Sequence, residues 1–175
     1  MNTADRRWLV VTVTVVTLLA GSWLFPKGRG PQDIPFFPLL KINCSLTTAG
    51  NCESLMGSGS FWEANGGTDN TITAELSGQP IDDATCYSLV SGPDGDDATT
   101  RMPRNWQFSG STDGKQWELL DSKTGETGWK LNEARYYPIR KKAGLKYIQI
   151  RIQPVAPSDI IRLYQLRLGR CSQDK

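Results

Sequence analysis

The sequence contains no histidine, and this absence excludes several kinds of active site at once. Ser-His-Asp and Cys-His nucleophile systems, histidine-ligated zinc centres and imidazole general bases all require that residue. No nucleophile elbow, phosphate-binding loop or metal-ligand spacing occurs either. Because 20 Lys and Arg are balanced by 18 Asp and Glu, there is also no large excess of basic charge of the kind that nucleic-acid binding usually requires. We therefore expect neither an enzyme nor a nucleic-acid-binding protein.

Charged residues are also missing from residues 8–25, and a long apolar run of this kind is typical of a membrane span. As a helix it would measure roughly 27 Å, close to the ~30 Å thickness of a hydrocarbon core. We predict an uncleaved signal anchor at residues 8–25, with residues 1–7 as a cytoplasmic tail. A cleaved signal peptide is the alternative, because Ala20, Gly21 and Ser22 offer a small-residue cleavage point.

The four cysteines indicate on which side of the membrane the rest of the chain lies. All of them follow the uncharged run, and none forms a C-x2-C pair typical of metal sites. An even number of cysteines suits disulfide bonds in an oxidising compartment. We therefore expect a single-pass membrane protein whose C-terminal part is periplasmic or extracellular.

Residues 26–43 are rich in proline and predict an extended neck, because proline prevents a continuous helix. Four apolar side chains in this neck cannot be hidden on one face of a helix, and if exposed together they would mark a protein or membrane contact. These candidate partner-docking residues are Phe36, Phe37, Leu39 and Leu40. Burial of the same residues against their own domain is the alternative.

Residues 44–175 contain short segments that predict β-strands. The strand candidates are residues 71–76, 85–90, 146–153 and 160–168. Within the third, Ile148, Ile150 and Ile152 lie on one face and Tyr147, Gln149 and Arg151 on the other, as in a half-buried strand. Asp113 and Gly114 lie between two apolar-patterned runs, 105–108 and 117–120, which predicts a hairpin with a type I′ turn. We expect a mainly β protein, with an antiparallel β-sandwich over residues 44–175.

The run from about Cys52 to Cys171 resembles a discoidin domain, also called the coagulation-factor type C domain, of the galactose-binding-like superfamily. The resemblance rests on a Tyr-x-Leu-x-Ser strand, an Arg-x-Pro-x-x-Trp turn, a Gly-Ser-x-Asp-Gly-x-x-Trp hairpin and a Leu-Asp pair. The matching residues are Tyr87, Leu89, Ser91, Arg101, Pro103, Trp106, Gly110, Ser111, Asp113, Gly114, Trp117, Leu120 and Asp121. This resemblance implies a jelly-roll sandwich that binds a glycan, an anionic lipid or a protein through the loops at one end.

Two positions depart from the family pattern. Met102 stands where the turn usually has aspartate, and Gly66 stands at an acidic position of the early loop. That loop supports calcium binding in some members of the family, so Gly66 weakens the case for calcium. We expect no cofactor and no metal.

A possible ligand-binding set consists of loop residues that the resemblance and the residue types favour: Trp62, Asn65, Asp94, Arg101 and Arg104. An exposed tryptophan such as Trp62 or Trp129 could stack on a sugar ring, although the adjacent Phe61 favours burial of Trp62. Arg101 and Arg104 could pair with the nearby acidic loop or bind an anionic ligand. That loop, Asp94 with Asp96 and Asp97, could hold a hard cation, but a solvated turn is the simpler interpretation.

Three disulfide pairings are formally open to the cysteines, and we weigh two of them. The resemblance implies an end-to-end bond between Cys52 and Cys171, which would leave Cys44 with Cys86. The local alternative joins Cys44 to Cys52 across the turn at Gly50 and Asn51, and Cys86 to Cys171.

Two functions from different classes follow from these features. The chain combines an anchor, a neck and one sandwich, and it has no reactive group. This combination suggests an accessory or structural subunit that docks on a larger membrane protein complex. Energy-converting complexes of bacterial membranes are one class of host. The partners of such a subunit would be the membrane and the other subunits. The alternative is a membrane-anchored carbohydrate-binding module, whose partner is a glycan.

Overall fold

The computed structural model describes residues 34–57, 59–156 and 159–171. The predicted cytoplasmic tail, the predicted membrane span and the first part of the predicted neck lie outside these residues. Within the described part of the chain, no helix has the length and apolar character needed to cross a membrane.

The described residues form a mainly β structure with antiparallel pairing. The strands are β1 Phe36–Phe37, β2 Leu39–Cys44, β3 Ala49–Gly50, β4 Trp62–Asn65, β5 Asn70–Leu76, β6 Cys86–Val90, β7 Trp106–Ser111, β8 Glu118–Lys123, β9 Ala134–Pro138, β10 Tyr147–Ile152, β11 Ile160–Leu163 and β12 Gln165–Gly169. A 3₁₀ helix covers Cys52–Met56, and a short helix, α1, covers Asp96–Thr100. The sheet orders are β2-β5-β10-β7-β8, β1-β12-β6-β9 and β11-β4-β3.

Aromatic contacts join the two larger sheets. The ring of Tyr87 on β6 stacks on that of Phe108 on β7 with 4.0 Å between centroids, and Tyr137 on β9 meets Trp106 edge-on at 5.3 Å. Ile148, Ile150 and Ile152 are fully buried, as their alternation in the sequence predicts. The predicted β-sandwich is therefore confirmed.

The predicted hairpin forms, but its turn is different. β7 pairs with β8, and residues 112–117 connect them instead of a two-residue loop. Gly114 has a positive φ of 72°, whereas Asp113 does not, so the type I′ turn was a wrong prediction. Asp113 instead uses its side chain: its Oδ1 accepts from the amides of Lys115 at 2.8 Å and Gln116 at 2.9 Å, which stabilises a wider loop.

The strand register places the connecting segments at two opposite ends of the sandwich. Ile152 on β10 lies opposite Asn70 on β5 and Trp106 on β7, so the segments that adjoin these residues lie at the same end of the sandwich. We call it the loop end, and it consists of residues 66–69, 91–105, 124–133, 153–156 and 159. At the other end of β10, Tyr147 lies opposite Ser111. We call this opposite end the basal end. It consists of the first described residues and of residues 77–85, 112–117, 139–146 and 170–171.

The residues predicted as an exposed neck are strands of the sandwich. Phe36 and Phe37 form β1, which pairs with Gly169 and Leu168 of β12, and their rings lie under the guanidinium groups of Arg167 and Arg170. Proline excludes a helix here but permits short strands at a sheet edge. The structure thus differs from the predicted boundary at Cys44, because the sandwich already includes β1.

The predicted apolar docking patch is reduced by this packing. Phe37 and Leu39 pack against the core, and Phe36 is half-buried, which matches the alternative of burial against their own domain. Leu40 remains, with 62% of its surface exposed. Docking through these residues therefore stays a prediction with less apolar surface to support it.

The disulfides follow the local alternative. Cys44 pairs with Cys52, and Cys86 pairs with Cys171, with Cα–Cα distances of 5.8 Å and 5.7 Å. The end-to-end bond between Cys52 and Cys171 that the family resemblance implied is therefore absent. Cys52 begins the 3₁₀ helix, which packs beside β2 and so lies near Cys44. Cys86 begins β6 next to the end of β12 and so lies near Cys171.

Candidate functional site

Two clefts open at the loop end on either side of Arg104. The first has a volume of about 260 Å³ and lies between residues 100–104 and the segment around Val155, Asp159 and Ile160. The second, about 220 Å³, lies between the same residues 100–104 and a wall that includes Glu126 and Trp129. Met102 and Arg104 line both clefts, so one short segment contributes to the two cavities.

The segment around Arg104 is fixed by backbone hydrogen bonds to its neighbours. The carbonyl of Arg104 accepts from the amide of Glu126 at 2.9 Å, and the carbonyl of Asn105 accepts from Gln153 at 3.0 Å. The side chain of Asn105 accepts from the amide of Gly125 at 2.8 Å. The backbone of this segment is therefore tied to both cleft walls, while the Arg104 side chain extends into solvent.

Arg104 differs from its neighbour Arg101 in what it binds. Arg101 lies 3.0 Å from Asp97 and 3.3 Å from Glu63, so it pairs with the acidic loop as one of our two interpretations predicted. The side chain of Arg104 makes no ion pair or hydrogen bond with any residue that the structure describes. Its guanidinium group, with its five N–H donors, is therefore available to a ligand.

The acidic loop is held by arginines and a tyrosine. The hydroxyl of Tyr164 donates to Asp94, and Arg162 lies 3.7 Å from Asp94 and 3.9 Å from Asp97. Burial and this hydrogen bond raise the pKa of Tyr164. Among residues 34–57, 59–156 and 159–171, no cluster of metal-ligating side chains is found. Because arginines engage Asp94 and Asp97, this loop favours ion pairing over cation binding.

Neither tryptophan considered as a sugar platform offers a free ring. Trp62 is fully buried, and its Nε1 donates to the carbonyl of Leu46 at 2.8 Å. Trp129 is 6% exposed, and the guanidinium carbon of Arg135 lies 4.1 Å from its ring centroid. The hypothesis that Trp62 contacts a ligand is therefore wrong, and its neighbour Phe61 indicated as much. Trp129 nevertheless lines the second cleft, and its buried Nε1 has no partner among the described residues.

Asn65 accepts hydrogen bonds from residues that follow it in the chain. Its Oδ1 accepts from the amide of Gly67 at 2.7 Å, and its carbonyl accepts from Asn70 at 2.8 Å. Asn65 does not line either cleft. Of the predicted ligand set, the structure brings Arg101 and Arg104 to the clefts and leaves Trp62 and Asn65 away from them, while Asp94 lies in the network beside Arg162.

Sequence reasoning missed several residues that shape the clefts. The acidic residue Asp159 lines the first cleft, together with the apolar residues Val155, Ile160 and Met102. The side chain of Asp159 forms no ion pair with another described residue. An acidic residue between the apolar segments around Val155 and Ile160 was the available signal, but nothing in the sequence places it across from Arg104.

The loop end carries a net negative charge despite its arginines. Its connecting segments contain seven acidic residues, Asp69, Asp94, Asp96, Asp97, Glu126, Glu133 and Asp159, against three basic residues, Arg101, Arg104 and Lys130, for a net charge of −4. The corresponding segments of the basal end contain six basic residues against three acidic ones, for a net charge of +3. The two ends are therefore oppositely charged.

Solved structures with a similar fold include carbohydrate-binding modules of bacteria. The module CpGH89CBM32-5 of Clostridium perfringens, in complex with GalNAc-β-1,3-galactose, has a TM-score of 0.61 and 9% identity over 77% of this chain and 99% of its own. The F5/8 type C domain of a Bacteroides fragilis protein has a TM-score of 0.58 and 15% identity over 74% and 90%. The family 32 module of Clostridium perfringens NanJ, in complex with galactose, has a TM-score of 0.58 and 8% identity over 74% and 93%.

These similarities concern the fold. No protein-family model matches the chain, and no curated protein sequence matches it. The predicted discoidin-like β-sandwich is nevertheless confirmed as a fold, because the F5/8 type C domain has the same fold. These structural similarities do not test the predicted membrane anchor.

Proposed function

We propose that this protein is a non-catalytic carbohydrate-binding module that holds a neutral glycan at its loop end. The observation that carries the proposal is the exposed Arg104 side chain, which lies between two clefts and has no partner among the described residues. Solved modules of the same fold in complex with GalNAc-β-1,3-galactose and with galactose support it. They favour this function, our alternative from the sequence, over docking on a membrane complex.

The chemistry of the clefts suits a sugar. A guanidinium group donates several hydrogen bonds in one plane, and a carboxylate accepts them, so Arg104 and Asp159 can together satisfy the hydroxyl groups of a sugar ring. Met102, Val155 and Ile160 provide apolar surface for the C–H face of that ring. Each cleft is smaller than the ~300–1,000 Å³ of a pocket for a drug-sized ligand, so each cleft suits one sugar unit.

The charge of the loop end favours a neutral sugar over an acidic one. With a net charge of −4 in its connecting segments, the loop end repels uronic acids and sulfated sugars at long range, even though Arg104 itself would attract them. Neutral hydroxyl groups interact only at short range and therefore escape this repulsion. The open clefts imply weak binding, with a Kd of about 0.1–1 mM for a short oligosaccharide.

We further propose that the uncharged segment at residues 8–25 acts as a membrane anchor and that it holds the module outside the cytoplasm. The two disulfide bonds support an oxidising compartment. Labelling of a cysteine introduced at Ser172 with an impermeant reagent in intact cells tests the topology. Labelling only after the membrane has been opened would contradict it.

The glycan proposal is tested by screening the purified full-length chain, in mild detergent, against an array of immobilised neutral, uronic and sulfated glycans. Retention on neutral glycans, with weaker retention on their acidic counterparts, is the expected result. Retention on acidic glycans alone would contradict the proposed charge selection, and the absence of retention on every glycan would contradict the function itself.

A further inference from the structure

The basal end carries a patch of lysine and arginine side chains that the glycan proposal does not use. The segment 139–146 contributes Arg140, Lys141, Lys142 and Lys146, and the neighbouring hairpin contributes Lys115. Lys142 pairs with Glu118 at 2.7 Å. The other four side chains form no ion pair or hydrogen bond with any residue in the described part of the chain.

The backbone holds this patch in place. The amide of Arg140 donates to the carbonyl of Leu120 at 3.1 Å, and the amide of Lys146 donates to Ser111 at 3.0 Å. Gly144, which has a positive φ of 72°, donates its amide to the side chain of Asp82 at 2.7 Å. The basic segment is therefore tied to β7, β8 and residues 77–85, and its cationic side chains share one end of the sandwich.

The chain reaches the sandwich at the same end. β1 begins at Phe36 opposite Gly169, and the carbonyl of Pro35 accepts from the amide of Arg170. Only residues 26–34 separate Pro35 from the uncharged segment 8–25. At ~3.3–3.6 Å per residue the chain from Phe25 to Pro35 spans at most roughly 36 Å, so a chain anchored by residues 8–25 keeps the basal end close to the bilayer.

We propose that the basal end lies on the membrane through contacts between these basic side chains and anionic lipid headgroups, an inference that rests on the proposed anchor. Basic residues are attracted to an anionic bilayer over about one Debye length, ~8–10 Å at physiological salt. An anionic bilayer attracts the basal end, which has a net charge of +3, and repels the loop end, which has a net charge of −4. Both charges therefore favour the same orientation. The loop end therefore points away from the membrane, towards a glycan in the surrounding medium.

The test uses the full-length chain in lipid nanodiscs, with a fluorophore on a single introduced cysteine. Ala143→Cys reports on the basal end, and Leu131→Cys, at an exposed position of the loop end, is the matched control. Quenching by neutral acrylamide measures the access of water to each probe. Nanodiscs of phosphatidylcholine are compared with nanodiscs that also contain phosphatidylglycerol.

The expected result is a loss of quenching at position 143 in the anionic nanodiscs, with no change at position 131. At 1 M salt, where the Debye length is ~3 Å, the quenching should return. The charge reversals Lys141→Glu and Lys146→Glu together should also restore it, whereas Lys130→Glu at the loop end should not. Three results would overturn the proposal. The first is equal quenching at position 143 in both kinds of nanodisc, and the second is protection of position 143 that persists in the double charge-reversal variant. The third is a chain that does not enter the nanodiscs. Because the readout requires no sugar, its failure leaves the glycan proposal standing.

Discussion

Arg162 and Glu63 are cross-strand partners whose side chains form an ion pair, and Glu63 also binds Arg101, which lines the first cleft. They lie opposite each other on β11 and β4, with 2.7 Å between Arg162 Nη2 and Glu63 Oε2. Both side chains are nearly buried, at 11% and 10% exposure. Because Glu63 binds Arg101 and Arg162 lies near Asp94 and Asp97, this pair connects the sheet to the loop that leads to Arg104.

Glu63→Gln should destabilise the sandwich, because it removes the main counter-charge of a nearly buried arginine. Breaking a buried pair typically costs ~3–5 kcal/mol, but Asp94 and Asp97 compensate part of the charge of Arg162, so we expect a loss of about 2–3 kcal/mol. Urea denaturation measures it. The matched control is Glu118→Gln, which removes an exposed partner of Lys142 and should cost only ~0–1 kcal/mol. Equal losses in the two variants would contradict a special role for the buried pair.

The two disulfide bonds should contribute unequally to stability. Cys86–Cys171 closes a loop with a sequence separation of 85, against 8 for Cys44–Cys52. In the chain-entropy model these closures are worth roughly 4.5 and 2.5 kcal/mol respectively. We expect Cys86→Ala with Cys171→Ala to lower the urea midpoint more than Cys44→Ala with Cys52→Ala. A larger loss for the short loop would show that native-state packing, rather than chain entropy, dominates.

Alkaline pH should destabilise the protein through Tyr87. Its hydroxyl donates to Asp121 at 2.8 Å and accepts from Trp106 Nε1 at 2.6 Å, and burial raises its pKa far above the ordinary value of ~10. The folded state thus keeps this proton at a pH where the unfolded chain loses it. The associated stability is complete below pH ~10 and falls by about 1.4 kcal/mol per pH unit above it.

The measurement for this prediction is urea denaturation between about pH 9 and 11, carried out on the wild type and on Tyr87→Phe. The variant should be less stable at neutral pH, because Trp106 and Asp121 each lose a partner. Its decline above pH ~10 should be shallower by about one proton, although burial also raises the pKa of Tyr137 and leaves a residual slope. Identical slopes would exclude Tyr87 as the titrating group.

The sandwich could be predicted from local sequence patterns, because side-chain alternation reports directly on strands. The alternating pattern predicts a strand over residues 146–153, and β10 is Tyr147–Ile152. The predicted strand at 160–168 is divided at Tyr164 into β11 and β12, which belong to different sheets. No local pattern marks this change, because it depends on which remote strand each half meets.

Features that depend on remote partners were harder to predict. β1 pairs with β12, far along the chain, so the prolines around Phe36 and Phe37 indicated an extended conformation but not its partner. The choice between the two cysteine pairings depended on the same spatial information. At the candidate site, residue type identified Arg104, but only the fold shows that Arg101 is paired with Glu63 and that Asp159 lies in the same cleft as Arg104.

The most direct test of the glycan proposal is the calorimetric affinity of the full-length chain for the neutral oligosaccharide that it retains best. Arg104→Ala should weaken binding roughly 10- to 100-fold, because hydrogen bonds to a charged group are worth about 1.5–3 kcal/mol. Arg140→Ala removes an exposed, unpaired arginine from the basal end and should leave both the affinity and the thermal stability unchanged. If Arg104→Ala keeps the wild-type affinity while Arg140→Ala loses it, the glycan does not bind at the loop end and the central claim is contradicted.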